Sequence, residues 1–249
     1  MMFSEEVAWV TGSSTGIGAA TAVALAEAGC RVAVHYNRSE VEAREVVEQI
    51  SSSGGEAMLV GGDVADAGEV ERMAGEIEER YGRLDVLVNN AGSLIERRKL
   101  EEMTEDLWDR VMDVNLKSVF LCSKAVLPAM KRQGRGRIIN MTSVAARNGG
   151  GPGSAAYATA KGGVSTLTRA MAKELVGEGI LVNGVAPGII TTPFHEARDA
   201  RAHDGRSPHW TRGDTGGGRR GRGVSRLSGG GLPGGRDHRG QRRPADGLV

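Results

Sequence analysis

Tyr157 and Lys161 stand four residues apart in a stretch whose apolar residues recur with helical spacing. Residues at this spacing share one face of a helix, so a phenol and an ammonium can meet at one site. An ammonium beside a phenol favours the phenolate and would lower the phenol pKa from about 10 toward neutral pH. We therefore expect Tyr157 to exchange a proton with a substrate oxygen. The alternative is an ordinary surface pair.

Ser143 follows the run Gly136–Met141, which predicts a β-strand. In parallel α/β sheets, ligands bind outside the carboxyl ends of the strands, and Ser143 falls at such an end. Its hydroxyl could hold a carbonyl oxygen near Tyr157. These three residues predict acid–base chemistry on a carbonyl or alcohol.

A glycine-rich loop, Thr11-Gly12-Ser13-Ser14-Thr15-Gly16-Ile17-Gly18, separates the first predicted strand from the first helix. Glycines at this position let the backbone turn sharply and approach a pyrophosphate, while the helix aims its free N–H groups at the phosphates. The spacing is G-x3-G-x-G rather than G-x-G-x-x-G. A dinucleotide site is the functional hypothesis, and a glycine turn without a ligand is the alternative.

The second predicted strand ends in Val34-His35-Tyr36-Asn37-Arg38. Folds that select NAD place a carboxylate here for the ribose 2′-hydroxyl, and this segment contains no acid. The Arg38 guanidinium can pair with a 2′-phosphate instead, which favours NADP while leaving NAD possible. The alternative is a solvated arginine at the start of the next helix.

Short β-branched runs alternate with amphipathic stretches through the first 190 residues. This alternation predicts an α/β fold, a Rossmann-type doubly wound parallel sheet in a single domain. The predicted strands are Val7–Thr11, Arg31–His35, Ala57–Val60, Leu84–Val88, Gly136–Met141 and Ile180–Val185. The predicted helices include Ser39–Ser51, Val70–Arg80, Leu107–Met130 and Ala156–Val176, each with one apolar face.

The net charge of +1 conceals two different compositions. Residues 197–249 contain 12 Arg, 5 Asp and 14 Gly, for a net charge of +7, whereas residues 1–196 carry 20 basic and 26 acidic groups. The tail lacks Ile, Phe, Tyr and Met, so it cannot bury enough apolar surface to fold alone. We expect a catalytic domain at 1–196 and a disordered Arg/Gly-rich tail at 197–249.

The first 190 or so residues resemble the short-chain dehydrogenase/reductase family, in the branch of 3-oxoacyl-acyl-carrier-protein reductases and glucose 1-dehydrogenases. The matching motifs are Thr11–Gly18, Asp63-Val64, Asn89-Asn90-Ala91-Gly92, Asn115, Ser143, Tyr157–Lys161, Asn183 and Pro187-Gly188. The resemblance implies an oxidoreductase that transfers a hydride between NADP(H) and a carbonyl or secondary alcohol. It also implies a homotetramer, which the divergent tail makes doubtful.

The resemblance implies a role for each matching residue. Asn115, Ser143, Tyr157 and Lys161 would form a catalytic tetrad. The implied cofactor-binding residues are Gly12, Ser14, Thr15, Gly16, Ile17, Gly18, Tyr36, Arg38, Asp63, Val64, Asn89, Ala91, Gly92, Tyr157, Lys161, Pro187, Gly188, Ile190 and Thr192. Asp63 could instead cap a helix, and Thr192 could be an ordinary loop residue. Thr15 stands where the acyl-carrier reductases often have Arg, and the form Gly-Ser-Ser-Thr-Gly is closer to glucose dehydrogenases.

No family pattern continues after Glu196, where the relatives have substrate lid helices and a seventh strand. The tail composition is typical of GC-rich codons read out of frame, so we expect the last strand and the C-terminal helix to be missing. Two other functions stay open at this point: a catalytically impaired nucleotide-binding remnant, and nucleic-acid binding through the basic tail.

Cys30 and Cys122 lie in unlike contexts, which predicts two reduced core thiols rather than a disulfide or a metal site. The N-terminal residues lack the basic segment and apolar core of a signal peptide, and no apolar run is long enough to span a membrane. From these features we expect a cytoplasmic protein, and the resemblance implies a small-molecule carbonyl or alcohol substrate.

Overall fold

The computed structural model describes residues 5–188. Its strands are β1 (Val7–Val10), β2 (Arg31–Tyr36), β3 (Ala57–Gly61), β4 (Val86–Asn89), β5 (Gly136–Met141) and β6 (Ile180–Val185). Its α-helices are α1 (Gly16–Glu27), α2 (Glu40–Ser52), α3 (Ala67–Tyr81), α4 (Glu105–Met112), α5 (Ser118–Gln133), α6 (Ala145–Asn148) and α7 (Ala155–Leu175). Short 3₁₀ turns cover Leu100–Glu102 and Val176–Glu178.

The six strands form one parallel sheet in the order β3-β2-β1-β4-β5-β6. The strand order reverses between β1 and β4, and the crevice at such a switch point is where this architecture binds ligands. All carboxyl ends lie at the same edge, because every neighbouring pair is parallel. The loops after β1, β4 and β5 therefore converge, as the sequence predicts.

Alternate residues of the strands supply the two faces of the core. Val7 and Trp9 of β1 point into a cluster with α3, α5 and α7, whereas Ala8 and Val10 point into a cluster with α1 and α2. Central strands buried on both faces read as continuous apolar runs, which explains why β1 shows no polar alternation. Helices on both faces make the fold a doubly wound sheet.

The predicted elements agree with the structure to within a few residues. Strand β4 begins at Val86 rather than Leu84, because the Gln133 side chain hydrogen-bonds both the N–H and the C=O of Leu84. The single predicted helix 107–130 contains a π-helical stretch, Asp113–Lys117, between α4 and α5. Such stretches insert an extra residue into a helix and occur frequently at functional sites.

Some of the expectations concern residues that the structure does not describe, and others concern the cysteines and membrane spans. Ile190, Thr192 and the tail 197–249 lie outside the described residues. Cys30 and Cys122 are buried free thiols, and burial raises the pKa of both, to about 11 and about 12. Within residues 5–188, no helix combines the length and apolar character that crossing a membrane requires.

A charged cluster joins the amino ends of three neighbouring strands. The buried Asp85 carboxylate accepts a hydrogen bond from the Val7 N–H at 2.9 Å and two from the Arg83 guanidinium, at 2.6 and 2.7 Å. Arg135 lies 3.4 Å from the same carboxylate. Burial opposes ionisation, yet the hydrogen bonds from Arg83 and Val7 outweigh it and hold the pKa of Asp85 below its ordinary value. Asp85 is therefore ionised and, as a clamp, links the amino ends of β1, β4 and β5 through hydrogen bonds and ion pairs.

We expect Asp85→Ala to lower the free energy of unfolding by about 3 kcal/mol, because it removes the partner of a largely desolvated ion pair. Urea denaturation at pH 7 measures this loss. The exposed pair of Glu56 with Arg80 provides the control, and Glu56→Ala should cost less than about 1 kcal/mol. Because the folded pKa of Asp85 is depressed, its contribution is present above pH 3.8 and is lost as the pH falls below that value. Equal losses for the two variants would contradict the clamp.

Candidate active site

The glycine-rich loop crosses the carboxyl end of β1 and lies against the loop after β4. Gly12 has a φ of +61°, and a Cβ atom there would lie 2.9 Å from the Cα of Ala91. The Asn90 amide donates to the carbonyl oxygens of Thr11 and Gly12, both at 2.9 Å. Gly12 therefore combines a left-handed conformation with a close approach that no other residue could make.

Helix α1 begins within this loop and leaves its first N–H groups open to a ligand. Thr15 occupies the N-cap position in an extended conformation, its side chain makes no capping hydrogen bond, and the first turn contains no acid. Helices α3 and α4, in contrast, are capped by the side chains of Asp66 and Thr104. The start of α1 is therefore able to receive an anion such as a pyrophosphate.

His35, near the end of β2, hydrogen-bonds the same loop. The Gly12 N–H donates to Nδ1 of the buried imidazole at 2.8 Å, and Nε2 lies 3.0 Å from the carbonyl oxygen of Gly62. The sequence motifs alone assign no role to His35. The signal that could have indicated this role is a histidine inside an apolar strand whose carboxyl end lies beside the glycine loop.

Asn89 and Asn115 are buried, and they hold different segments at the carboxyl edge of the sheet. The Asn89 amide bridges β4 to α5 and β5 through Ser123 and Asn140, at 3.0 and 2.9 Å. Asn115 lies in the π-helical stretch, where its Nδ2 donates to the carbonyl oxygens of Ser93 and Val111 and its Oδ1 accepts from the Ser93 N–H. These bonds fix the backbone directly after Gly92.

Gly92 lies between Asn115 and Lys161. A Cβ atom at this position would lie 2.7 Å from Oδ1 of Asn115 and 3.3 Å from Nζ of Lys161. The absence of a side chain therefore lets the amide and the ammonium approach the same point from different helices. The structure brings together the residues that the sequence predicted to act together.

Lys161 and Tyr157 lie on one face of α7, as the four-residue spacing predicts. The buried Lys161 ammonium donates to the carbonyl oxygen of Met141 at 2.8 Å and lies 5.8 Å from the centre of the Tyr157 ring. Burial lowers the pKa of Lys161 to about 8. Ser143 accepts a hydrogen bond from the Ala145 N–H at 3.1 Å and is hydrogen-bonded to Tyr157.

The expectation that the neighbouring ammonium depresses the phenol pKa is wrong for this structure. Burial raises the pKa of Tyr157 above 10, and the hydrogen bond with Ser143 opposes that rise only in part. The Lys161 ammonium donates to the Met141 carbonyl and does not figure among the causes that shift the phenol pKa. At neutral pH Tyr157 is therefore a protonated phenol, the form that can donate a proton.

The ends of β2 and β3 carry the residues proposed for the adenosine half of a dinucleotide. Asp63 is exposed, and its Oδ1 accepts from the Ala65 N–H, whereas the cap of α3 is Asp66. Val64 is buried in the core. The Tyr36 ring lies against Gly61, where a Cβ atom would lie 2.6 Å from the ring. Arg38 is exposed and, among the described residues, makes no hydrogen bond or ion pair.

Two loops border the site on the side away from α1. Residues 93–99 follow β4, residues 149–153 precede α7, and the Arg98 N–H donates to the Gly153 carbonyl at 3.2 Å. Arg97 also donates to the carbonyl of Pro152 at 2.9 Å. Ile95 has a φ of +57°, an uncommon conformation for a β-branched residue. On the third side, the Pro187 carbonyl accepts from the Val144 N–H at 3.3 Å, and Gly188 follows.

A nicotinamide dinucleotide fits these residues. The open N–H groups of α1 match a pyrophosphate, the missing Cβ atoms of Gly12 and Gly92 leave backbone surface for close approach, and Lys161 makes only one hydrogen bond to the described residues. No group of three or more His, Cys, Asp or Glu within residues 5–188 has the arrangement of a metal site.

Comparison with known proteins gives consistent relatives. A family model described as short chain dehydrogenase matches residues 6–203. A 3-oxoacyl-[acyl-carrier-protein] reductase of Synechocystis is 48% identical over 199 residues, covering 78% of each chain. The protein of the same name from Staphylococcus aureus is 46% identical over 190 residues, covering 76% of each.

Two further relatives broaden the comparison. The short-chain reductase protein NovJ of Streptomyces niveus is 48% identical over 190 residues, covering 76% of this chain and 71% of its own. The crystal structure of a dehydrogenase/reductase from Sinorhizobium meliloti has a TM-score of 0.73 and 37% identity, covering 77% of this chain and 75% of that one.

Gly92→Ala should separate Asn115 from Lys161, because the new methyl group occupies the point at which they approach. We expect the Ser93 amide, which donates to Asn115, to exchange its hydrogen at least about tenfold faster, as for a lost hydrogen bond of about 1.4 kcal/mol. Gly162→Ala is the matched control, since it adds a methyl group beside Lys161 where nothing lies within 4 Å. If the Ser93 amide exchanged at the parent rate in Gly92→Ala, the missing Cβ atom at Gly92 would not be needed for the position of Asn115.

Proposed function

The chain belongs to the short-chain dehydrogenase family and is an NAD(P)-dependent oxidoreductase, and on that basis we propose that it reduces 3-oxoacyl thioesters with NADPH. The observation that carries the proposal is that Asn115 and Lys161 approach each other at Gly92, while Lys161 also lies beside Tyr157 and Tyr157 is hydrogen-bonded to Ser143. These residues share the sheet edge that also holds the glycine loop. The names of the Synechocystis and Staphylococcus relatives support the substrate class.

Tyr157 is the proposed acid. A bound NADPH would supply the hydride for the carbonyl carbon and would leave as NADP⁺. The Tyr157 hydroxyl would give its proton to the carbonyl oxygen, so that the product is a 3-hydroxyacyl thioester. Burial favours the neutral phenol that this step consumes. Ser143, hydrogen-bonded to Tyr157, holds the substrate oxygen within reach of the phenol.

Lys161 and Asn115 are proposed to restore the proton. With a pKa of about 8, Lys161 is mostly protonated at pH 7 and close enough to its midpoint to give up a proton. Its position beside Gly92 also suits the ribose of the cofactor. Asn115 is anchored by three hydrogen bonds and would hold a water molecule that links Lys161 to solvent.

The remaining residues are proposed to hold the cofactor along the sheet edge. The backbone from Gly12 to Gly18, including Ser14, Thr15, Gly16 and Ile17, would receive the pyrophosphate. Asp63 would contact the adenine, whereas the expectation for Val64 is corrected by its burial in the core, from which it supports this segment. Asn89, Ala91, Gly92, Pro187 and Gly188 would line the nicotinamide half, with Ile190 and Thr192 at its carboxamide.

Preference for NADPH is proposed from the end of β2. Arg38 is exposed and makes no hydrogen bond or ion pair within residues 5–188, so its guanidinium is available to a 2′-phosphate. The nearest acid in sequence, Glu40, is engaged by Arg44 and hydrogen-bonded to Tyr36, and the bond with Arg44 lowers the pKa of Glu40. Pairing with Arg44 reduces the repulsion that Glu40 would exert on a phosphate.

A sugar or polyol dehydrogenase is the second candidate. The Gly-Ser-Ser-Thr-Gly form of residues 12–16 favours it, because Thr15 stands where acyl-carrier reductases often carry Arg. The two candidates use the same four site residues and differ in the alcohol or carbonyl that they accept. Assaying a 3-oxoacyl thioester with NADPH and a hexose with NADP⁺ or NAD⁺ separates them.

Tyr157→Phe tests the proposed chemistry. The ring still packs but has no proton to give, so we expect turnover of a 3-oxoacyl thioester to fall by about two to four orders of magnitude. NADPH binding, followed by nicotinamide fluorescence, should stay near the parent value. Turnover within tenfold of the parent would contradict the role of Tyr157, and a parent chain that binds NADPH but reduces only sugars would contradict the substrate class.

Arg38→Ala tests the cofactor preference. Loss of a charge-assisted hydrogen bond to the 2′-phosphate should weaken NADPH binding by about 1.5 kcal/mol, roughly tenfold, while NADH binding changes little. Arg132→Ala removes an equal charge at the carboxyl end of α5, away from the strand ends that form the site, and should change neither affinity. Equal losses for both cofactors in Arg38→Ala would assign Arg38 a structural role.

A further inference from the structure

His35 is a buried histidine whose two ring nitrogens both contact backbone groups. Nδ1 lies 2.8 Å from the Gly12 nitrogen, and Nε2 lies 3.0 Å from the Gly62 carbonyl oxygen. The first partner belongs to the glycine loop after β1. The second directly follows β3 and precedes Asp63. One ring therefore connects the two loops that flank the end of β2.

The backbone partners determine the tautomer of His35. The Gly12 N–H can only donate, so Nδ1 must carry a lone pair, and the Gly62 carbonyl can only accept, so Nε2 must carry the hydrogen. A doubly protonated ring would have no acceptor for Gly12. The Nε2–H neutral form is thus the only one that satisfies both contacts.

The Gly12 N–H needs this particular acceptor because its backbone is held in an unusual position. Its φ is +61°, its carbonyl oxygen is bound by Asn90, and its Cα side rests on Ala91. The next residue is bound to His35 through the backbone as well, since the Ser13 N–H donates to the His35 carbonyl at 2.9 Å. The imidazole completes this set of contacts by accepting from the Gly12 N–H.

We propose that His35 is a positioning residue for the dinucleotide, joining the loop that receives the pyrophosphate to the loop that receives the adenine and so fixing their separation before the ligand arrives. This inference rests on the proposed placement of the dinucleotide. His35 does not touch the ligand in this scheme and acts through Gly12 and Gly62. Its effect on affinity comes from preorganisation, since a loop already in its bound conformation loses less entropy on binding.

The surroundings of His35 keep the ring neutral. Burial lowers its pKa to about 4, against the smaller opposing effects of the Gly62 carbonyl and the Asp63 carboxylate. Asp63 is the one charged group that influences the ring among the described residues. The two-sided contact is therefore intact at neutral pH and through mildly acidic conditions.

Three substitutions separate the two contacts. His35→Asn places Oδ1 where Nδ1 lies and keeps an acceptor for Gly12, His35→Gln reaches toward Gly62 without serving Gly12, and His35→Leu serves neither. Gln133→Leu is the control, because Gln133 also bonds backbone groups on both sides, the N–H and C=O of Leu84 and, at 3.5 Å, the Arg135 carbonyl, at the opposite edge of the sheet. All variants are made in the full chain.

The measurements are the dissociation constants of NADPH and NADH by fluorescence and the free energy of unfolding by urea. We expect all three His35 variants to bind both cofactors about tenfold more weakly, as for one lost hydrogen bond, because each of them breaks the connection between the two loops, whereas His35→Asn and His35→Gln should keep more stability than His35→Leu. Gln133→Leu should lose stability and keep its affinity. A merely structural His35 would instead make affinity follow stability in all four variants.

The parent chain provides an independent check that needs no substitution. Long-range proton–nitrogen NMR on ¹⁵N-histidine-labelled protein should show a neutral imidazole with hydrogen on Nε2 down to about pH 5, in keeping with the depressed pKa. An Nδ1–H tautomer, or parent-like affinity in His35→Leu, would overturn the inference while the proposed function stands. A parent chain that binds neither NADPH nor NADH would overturn the proposed function itself.

Discussion

The contact between the loops after β1 and β4 is the constraint on which the site depends. Asn90 donates to the carbonyls of Thr11 and Gly12, and Gly12 rests on Ala91 with no room for a Cβ atom. Because the loop after β4 continues into Gly92 and Ser93, this contact also sets where Asn115 and Lys161 meet. The glycine loop and the candidate acid–base residues are therefore parts of one arrangement.

Most of the fold could be predicted from the sequence, and so could the shared helix face of two candidate site residues. Apolar runs and helical periodicity placed all six strands, and the four-residue spacing placed Tyr157 and Lys161 on one face. Such patterns carry local information only. The π-helical stretch that presents Asn115, the role of His35 and the gap at Gly92 depend on contacts between distant segments, which periodicity does not encode.

The electrostatics of the site also depended on tertiary structure. Spacing correctly placed an ammonium near a phenol, but the balance between their charge interaction and their burial is set by the surrounding elements. Lys161 is buried and donates to the Met141 carbonyl at the end of β5, so desolvation dominates both side chains, raising the pKa of Tyr157 and lowering that of Lys161. At neutral pH these shifts favour a Tyr157 phenol that keeps its proton and a Lys161 ammonium that releases its proton more easily.

The backbone bond between Arg98 and Gly153 has a consequence for protein engineering. Because this bond and the Arg97–Pro152 contact join the loops 93–99 and 149–153, neither loop has a conformation independent of the other. A library that randomises one of them alone would mostly sample loops mismatched to their neighbour. Altered substrate preference is better sought by transplanting both segments together from a single relative, as one cassette, with Gly92 and Asn115 left untouched.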